Sequence, residues 1–216
     1  MIIIGIVGSP AGGKSTVAKI LGELGATWIH ADEIAKSVLE EPQIRIKLLE
    51  YFGSDFEDPY GKIDREKLAG AVFGDDEEKR QALKYLESLV HPETRRRITQ
   101  AITDAHRSGR QFTALEVPLM FESHWDLVCD EIWCIDAPAE MRQEWAKNRN
   151  WTAADLRKRE SNQLPLDAKK RLSNVCITNN GDMKQLSTIV VNRWSSLSRK
   201  VSSKSSKHCF EQSNAT

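Results

Sequence analysis

The sequence predicts an α/β fold, a parallel sheet covered by helices. Three observations carry that expectation. Short apolar runs rich in β-branched residues recur along the chain, as strands buried on both faces require. Helical patterns fill the intervals between them. The first run leads straight into a glycine-rich turn and then a helix. Five runs qualify as strands: 2–7 ("IIIGIV"), 27–29 ("TWI"), 112–117 ("FTALEV"), 131–135 ("EIWCI") and 175–178 ("VCIT").

The turn after the first strand reads Gly8-Ser9-Pro10-Ala11-Gly12-Gly13-Lys14-Ser15 and fits G-x-x-x-x-G-K-[ST]. Glycines let the backbone curl so that its N–H groups point inward. Those donors and the N-terminus of the following helix suit a polyphosphate. Lys14 is placed to neutralise the β- and γ-phosphates, the Ser15 hydroxyl to bind Mg²⁺, and Thr16 to touch the α-phosphate. Gly8, Ala11, Gly12 and Gly13 supply the cradle. Strand before and helix after is the context that separates this motif from an ordinary turn. A guanine-specific N-K-x-D motif is absent, which favours ATP. Val17, Leu21 and Leu24 form one stripe and predict the first helix.

Asp32 follows the second strand in "WIHADEIAK". Strand carboxyl ends meet at the ligand crevice of an open α/β sheet. A carboxylate there can take the proton of an attacking hydroxyl; equally, Asp32 can cap the helix that follows. From 33 to about 109 the sequence is helical with no strand, too long for one crossover. It is expected to form a helical insertion in a core made of 1–32 and 110–198.

The third strand ends at Glu116. A carboxylate at this place can hold the water shell of Mg²⁺, or cap the turn that Pro118 enforces. The interval 140–172 is helical and basic, with Arg142, Lys147, Arg149, Arg157, Lys158 and Arg159. Arginines on a mobile lid can close over a triphosphate and exclude water; a solvated surface helix is the plainer reading. Arg149 is the first candidate and Arg142 the second. The segment 201–216 is rich in Ser and Lys without apolar periodicity and is expected to be a disordered tail.

Composition narrows the function. The 31 Lys and Arg residues balance 31 Asp and Glu, so no global field favours nucleic acid or an anionic membrane. No apolar run reaches the roughly 20 residues of a membrane span. The four cysteines lack C-x-x-C spacing and are expected to be reduced thiols of a cytoplasmic protein. No obligate protein partner is implied.

Taken in order, the phosphate loop, "ADEIAK", "GKIDREKLAGAVF", "HPE", "VPLMFE", "RESNQLP" and "ITNNGD" resemble the dephospho-CoA kinase family over nearly the whole chain. The resemblance implies a P-loop NTPase three-layer fold with a five-stranded parallel sheet, a helical acceptor-binding insertion and a helical lid. It implies transfer of the γ-phosphate of ATP to the ribose 3′-hydroxyl of dephospho-CoA, with Mg²⁺. It implies Asp32 as general base, Arg65, His91 and Pro118 near the acceptor, Arg149 on the lid, and Asn179 on a loop near the adenine. Three positions depart from the family pattern: His30 replaces a first Asp, Glu116 an Asp, and Trp145 an Arg. Another small-molecule kinase of the nucleotide or shikimate type, and a non-catalytic nucleotide switch, are the competing readings.

Overall fold

A computed structural model describes residues 1–74 and 76–213, with side chains up to 199 apart from 75. The elements run β1 (Ile2–Gly8), α1 (Lys14–Glu23), β2 (Thr27–His30), α2 (Ala31–Val38), α3 (Pro42–Phe52), α4 (Arg65–Val72), α5 (Glu77–Arg107), β3 (Phe112–Glu116), β4 (Glu131–Asp136), α6 (Ala139–Lys147), α7 (Ala153–Ser161), α8 (Leu166–Leu172), β5 (Val175–Thr178) and α9 (Met183–Ser213). All five expected strands are present, in the order β2-β3-β1-β4-β5. The pairs β1–β3, β1–β4 and β4–β5 are parallel. The chain divides into two units, 1–28 with 109–216, and 29–108.

In the first unit the strands are apolar on both faces because helices cover both. Ile4, Ile6, Trp133, Ile135 and Ile177 pack with Val17 and Leu21 of α1 and with Leu186 and Val190 of α9. Each fully buried aliphatic side chain stabilises by roughly 1.5–3 kcal/mol. The backbone of α9 is helical through Ser213, so most of the segment expected to be a disordered tail is regular in its backbone. Residues 214–216 and the Cys209 side chain lie outside the described part.

The unit 29–108 is helical and has its own core. Leu48, Ile63, Leu68, Val72 and Ala82 are buried there, flanked by Phe52, Phe56 and Leu86. Asp64 caps α4, accepting from the Glu66 and Lys67 backbone N–H groups at 3.1 and 3.0 Å. The helix α5 passes through Pro92 without ending there. Pro92 removes the N–H that would bond the Ser88 carbonyl, and Ser88 is exposed, where solvent can serve that oxygen. Arg97 pairs with Glu93 at 2.9 Å and with Glu41, and Arg65 with Glu40 at 3.1 Å. Hydrogen bonds from Arg96 and then Arg97 hold the Glu93 carboxyl down to about 2.

No helix among the described residues is long and apolar enough to cross a membrane. Cys129, Cys134 and Cys176 are free thiols. Burial pushes Cys129 up to about 12 and Cys134 up to about 11, whereas Cys176 is exposed. At pH 7 a thiol reagent is therefore expected to modify Cys176 at least ~10-fold faster than the other two, since the thiolate is the nucleophile. Peptide mass spectrometry reads the order, and equal rates would contradict this packing.

Candidate active site at the phosphate loop

The loop between β1 and α1 adopts a conformation few residue types allow. Gly8 has φ 139° and Gly13 φ 99°. A Cβ on Gly8 would run into the Ile135 carbonyl, and one on Gly13 into the Asn179 amide. Ala11 is also left-handed, at φ 56°. Its methyl is buried against Ala146 and Leu156, with Trp145 and Trp151 alongside. Trp145 thus packs α6 beside the loop.

The first turn of α1 contains no acid and begins with a lysine, the reverse of what a helix macrodipole favours from its own chain. Such an N-terminus is complementary to an external anion. Lys14 is 9 % exposed. Its Nζ donates to the Ser9 carbonyl at 2.8 Å and the Gly8 carbonyl at 3.3 Å.

Glu116 is 2 % exposed at the carboxyl end of β3. The β1–β3 register pairs it with Ile6, two residues before Gly8. Its Oε1 accepts from Ser15 Oγ at 2.7 Å and its Oε2 from Trp28 Nε1 at 3.2 Å. Strand pairing thus brings together the two residues expected to serve Mg²⁺. A hydroxyl and one carboxylate are hard oxygen donors, and Mg²⁺ commonly binds through one or two carboxylates plus substrate phosphates. The pair fits that ion. Among the described residues no cluster of three His, Cys, Asp or Glu side chains could hold a metal by itself.

Asn179 is buried, and its position is more specific than the sequence implies. Its Nδ2 donates to the Gly12 carbonyl at 3.2 Å and its backbone N–H to the Asp136 carbonyl at 2.6 Å. It braces the phosphate loop from β5. Thr16 is half-buried, one residue beyond Ser15. The two arginines expected to act from a lid lie in different surroundings. Arg142 is partly buried, with its Nε on the Ala137 carbonyl at 3.1 Å and a salt bridge to Glu160. Arg149 lies past the end of α6, exposed, 5.5 Å from the Trp151 ring centroid.

Ser9, Pro10, Arg142, Gln163 and Lys169 line a cavity of about 230 Å³, and Arg149 is not among its walls. Lys169, Gln163, Glu160 and Trp28 escape sequence reasoning. A lysine in "LDAKKRL" looks like a solvated helix face, and only its place three residues after Leu166 hints that it faces inward.

The acceptor candidates in the unit 29–108 stand as follows. Asp32 is exposed and sits inside the first turn of α2, whose N-cap position is His30. It is therefore not the cap that one reading of the sequence suggested. Arg65 opens α4, bound to Glu40 and, at 3.3 Å, to the Lys36 carbonyl. His91 is exposed on α5. Pro118, in the other unit, is half-buried just past β3.

A family model for dephospho-CoA kinase matches residues 2–185. A dephospho-CoA kinase from Rhodopirellula baltica is 37% identical over 195 residues, covering 90% of this chain and 90% of that protein. One from Carboxydothermus hydrogenoformans is 36% identical, covering 92% of this chain and 98% of the relative. The solved dephospho-CoA kinase of Campylobacter jejuni superposes with a TM-score of 0.69 at 25% identity, covering 92% of this chain and 98% of its own. A Thermus thermophilus structure gives a TM-score of 0.73 at 29% identity, covering 91% and 97%.

Proposed function

The chain belongs to the dephospho-CoA kinase family, and from that membership we infer that it transfers the γ-phosphate of ATP to the ribose 3′-hydroxyl of dephospho-CoA, yielding CoA and ADP. The observation that carries this reading in the chain itself is the hydrogen bond between Ser15, the residue after the phosphate-loop lysine, and the buried carboxylate of Glu116.

Phosphoryl transfer needs positioning and charge neutralisation more than covalent chemistry from the protein. The loop amides from Ala11 to Thr16 would surround the β-phosphate, and Lys14 would bridge the β- and γ-oxygens. Ser15 and Glu116 would hold Mg²⁺, which when bound neutralises charge on those oxygens. Asn179 keeps the loop in shape by holding the Gly12 carbonyl. On the acceptor side, Asp32 would take the proton of the 3′-hydroxyl, and Arg65, His91 and Pro118 would contribute to binding dephospho-CoA. Arg142 and Arg149 would add positive charge from the segment between β4 and β5, and exclude water from the γ-phosphate.

The test is a coupled assay with ATP and Mg²⁺ against dephospho-CoA, nucleoside monophosphates and shikimate. ADP release is expected with dephospho-CoA at least ~10²-fold faster, in kcat/KM, than with any other acceptor, because a site built to pair a substrate's polar groups rejects analogues that lack them. Comparable turnover of a nucleotide or shikimate would move the chain to another kinase class. No turnover with any acceptor would favour a nucleotide switch.

A further inference from the structure

Only two basic side chains are buried among the described residues, Lys14 and Lys169. Lys169 comes from α8, is 1 % exposed, and extends toward the phosphate loop. Its Nζ donates to Gln163 Oε1 at 2.7 Å and, at longer range, to the carbonyls of Gly8 at 3.4 Å and Pro118 at 3.5 Å. The Gly8 carbonyl also receives the Lys14 ammonium at 3.3 Å. Two cations from opposite ends of the chain thus meet at the first residue of the loop.

All three acceptors of Lys169 are neutral. Among the described residues Glu122 is the one carboxylate near enough to favour its charge, and it accepts from the Leu164 backbone N–H at 2.5 Å. Burial accordingly holds the ammonium below its usual pKa. A buried cation without an ionic partner is a liability for folding, and a neutral side chain of similar volume would be as stable or more so. Lys169 also lines the cavity beside Ser9, Pro10 and Arg142. That space holds several water volumes, enough for a tetrahedral phosphate. Its loop walls are Ser9 and Pro10, on the half of the loop away from Ser15 and the first turn of α1.

We propose that Lys169 is a second phosphate-binding cation of the site, contacting the γ-phosphate of bound ATP from the side opposite the Ser15–Glu116 pair. This rests on the kinase reading above. The competing role is a clamp that ties the end of β1 to the segment after β3 and to the turn before α8.

The two roles predict different results for Lys169→Met in the full chain. A γ-phosphate contact leaves MgADP affinity within ~2-fold of wild type but weakens binding of a non-hydrolysable ATP analogue with Mg²⁺ by at least ~10-fold, because a charge-assisted hydrogen bond is lost from one phosphate only. The melting temperature is unchanged or higher, and Lys169→Arg recovers part of the analogue affinity. If both nucleotides weaken alike, or neither does, the proposal is wrong. Lys169→Gln, which keeps a donor for the Gly8 carbonyl, provides the same comparison if the methionine variant does not fold. Wild-type turnover of dephospho-CoA is measured alongside. Its absence would condemn the kinase reading, while the contrast between ADP and the ATP analogue tests Lys169 independently.

Discussion

Lys14→Ala is expected to lower kcat/KM for ATP by about 10³-fold, the upper range for removing a single preorganised donor from a charged transition state. The ammonium is nearly buried and already rests on the carbonyls of Gly8 and Ser9, so little of its placement has to be created when a triphosphate arrives. Truncation removes the charge at the position where negative charge shifts during transfer. It should not unfold the chain. The lost charge-assisted bonding to the Ser9 and Gly8 carbonyls is worth about 1.5–3 kcal/mol, which shifts the melting temperature by about 3–12 °C in a chain of this size. Steady-state kinetics with saturating dephospho-CoA and a thermal melt check both parts. Near-normal turnover would remove the loop from the reaction, and a collapse of the melting temperature would mean that the lysine is structural.

What the sequence revealed has a physical pattern. Strands sandwiched between helices must be apolar on both faces, so β1, β3 and β4 stand out in sequence as near-continuous apolar runs. The phosphate loop is legible because its backbone demands glycine at fixed places, as Gly8 and Gly13 demonstrate. Glu116 could be named as a strand-end acid, but its bond to Ser15 spans 101 positions and is made by the register of two strands. Nothing periodic encodes that register. Lys169 was missed for the complementary reason. Pattern reading assigns lysine to solvent, and a functional site is where that rule fails. The two arginines show the limit of charge patterns: the helical interval was recognised as basic, yet Arg142 is at the cavity wall and Arg149 is exposed over Trp151.

Asp32→Asn is expected to lower kcat by about 10²–10⁴-fold, the usual contribution of a positioned general base. The substitution keeps shape and one acceptor oxygen but removes the capacity to take a proton. Its structural effect should be small. Asp32 is exposed within the first turn of α2 and is not the N-cap. Losing an acid from that turn forfeits only about 0.3–1 kcal/mol of interaction with the helix dipole. Affinity for ATP should be unaltered, because the phosphate loop, Ser15 and Glu116 are untouched. A base that acts only as the hydroxyl attacks should lower kcat and kcat/KM together, whereas a residue that merely holds dephospho-CoA should raise KM and spare kcat. The split between those parameters, measured with dephospho-CoA varied at saturating ATP, therefore decides the role of Asp32. A raised KM at unchanged kcat would reassign it to acceptor binding, and unchanged values of both would take it out of the site.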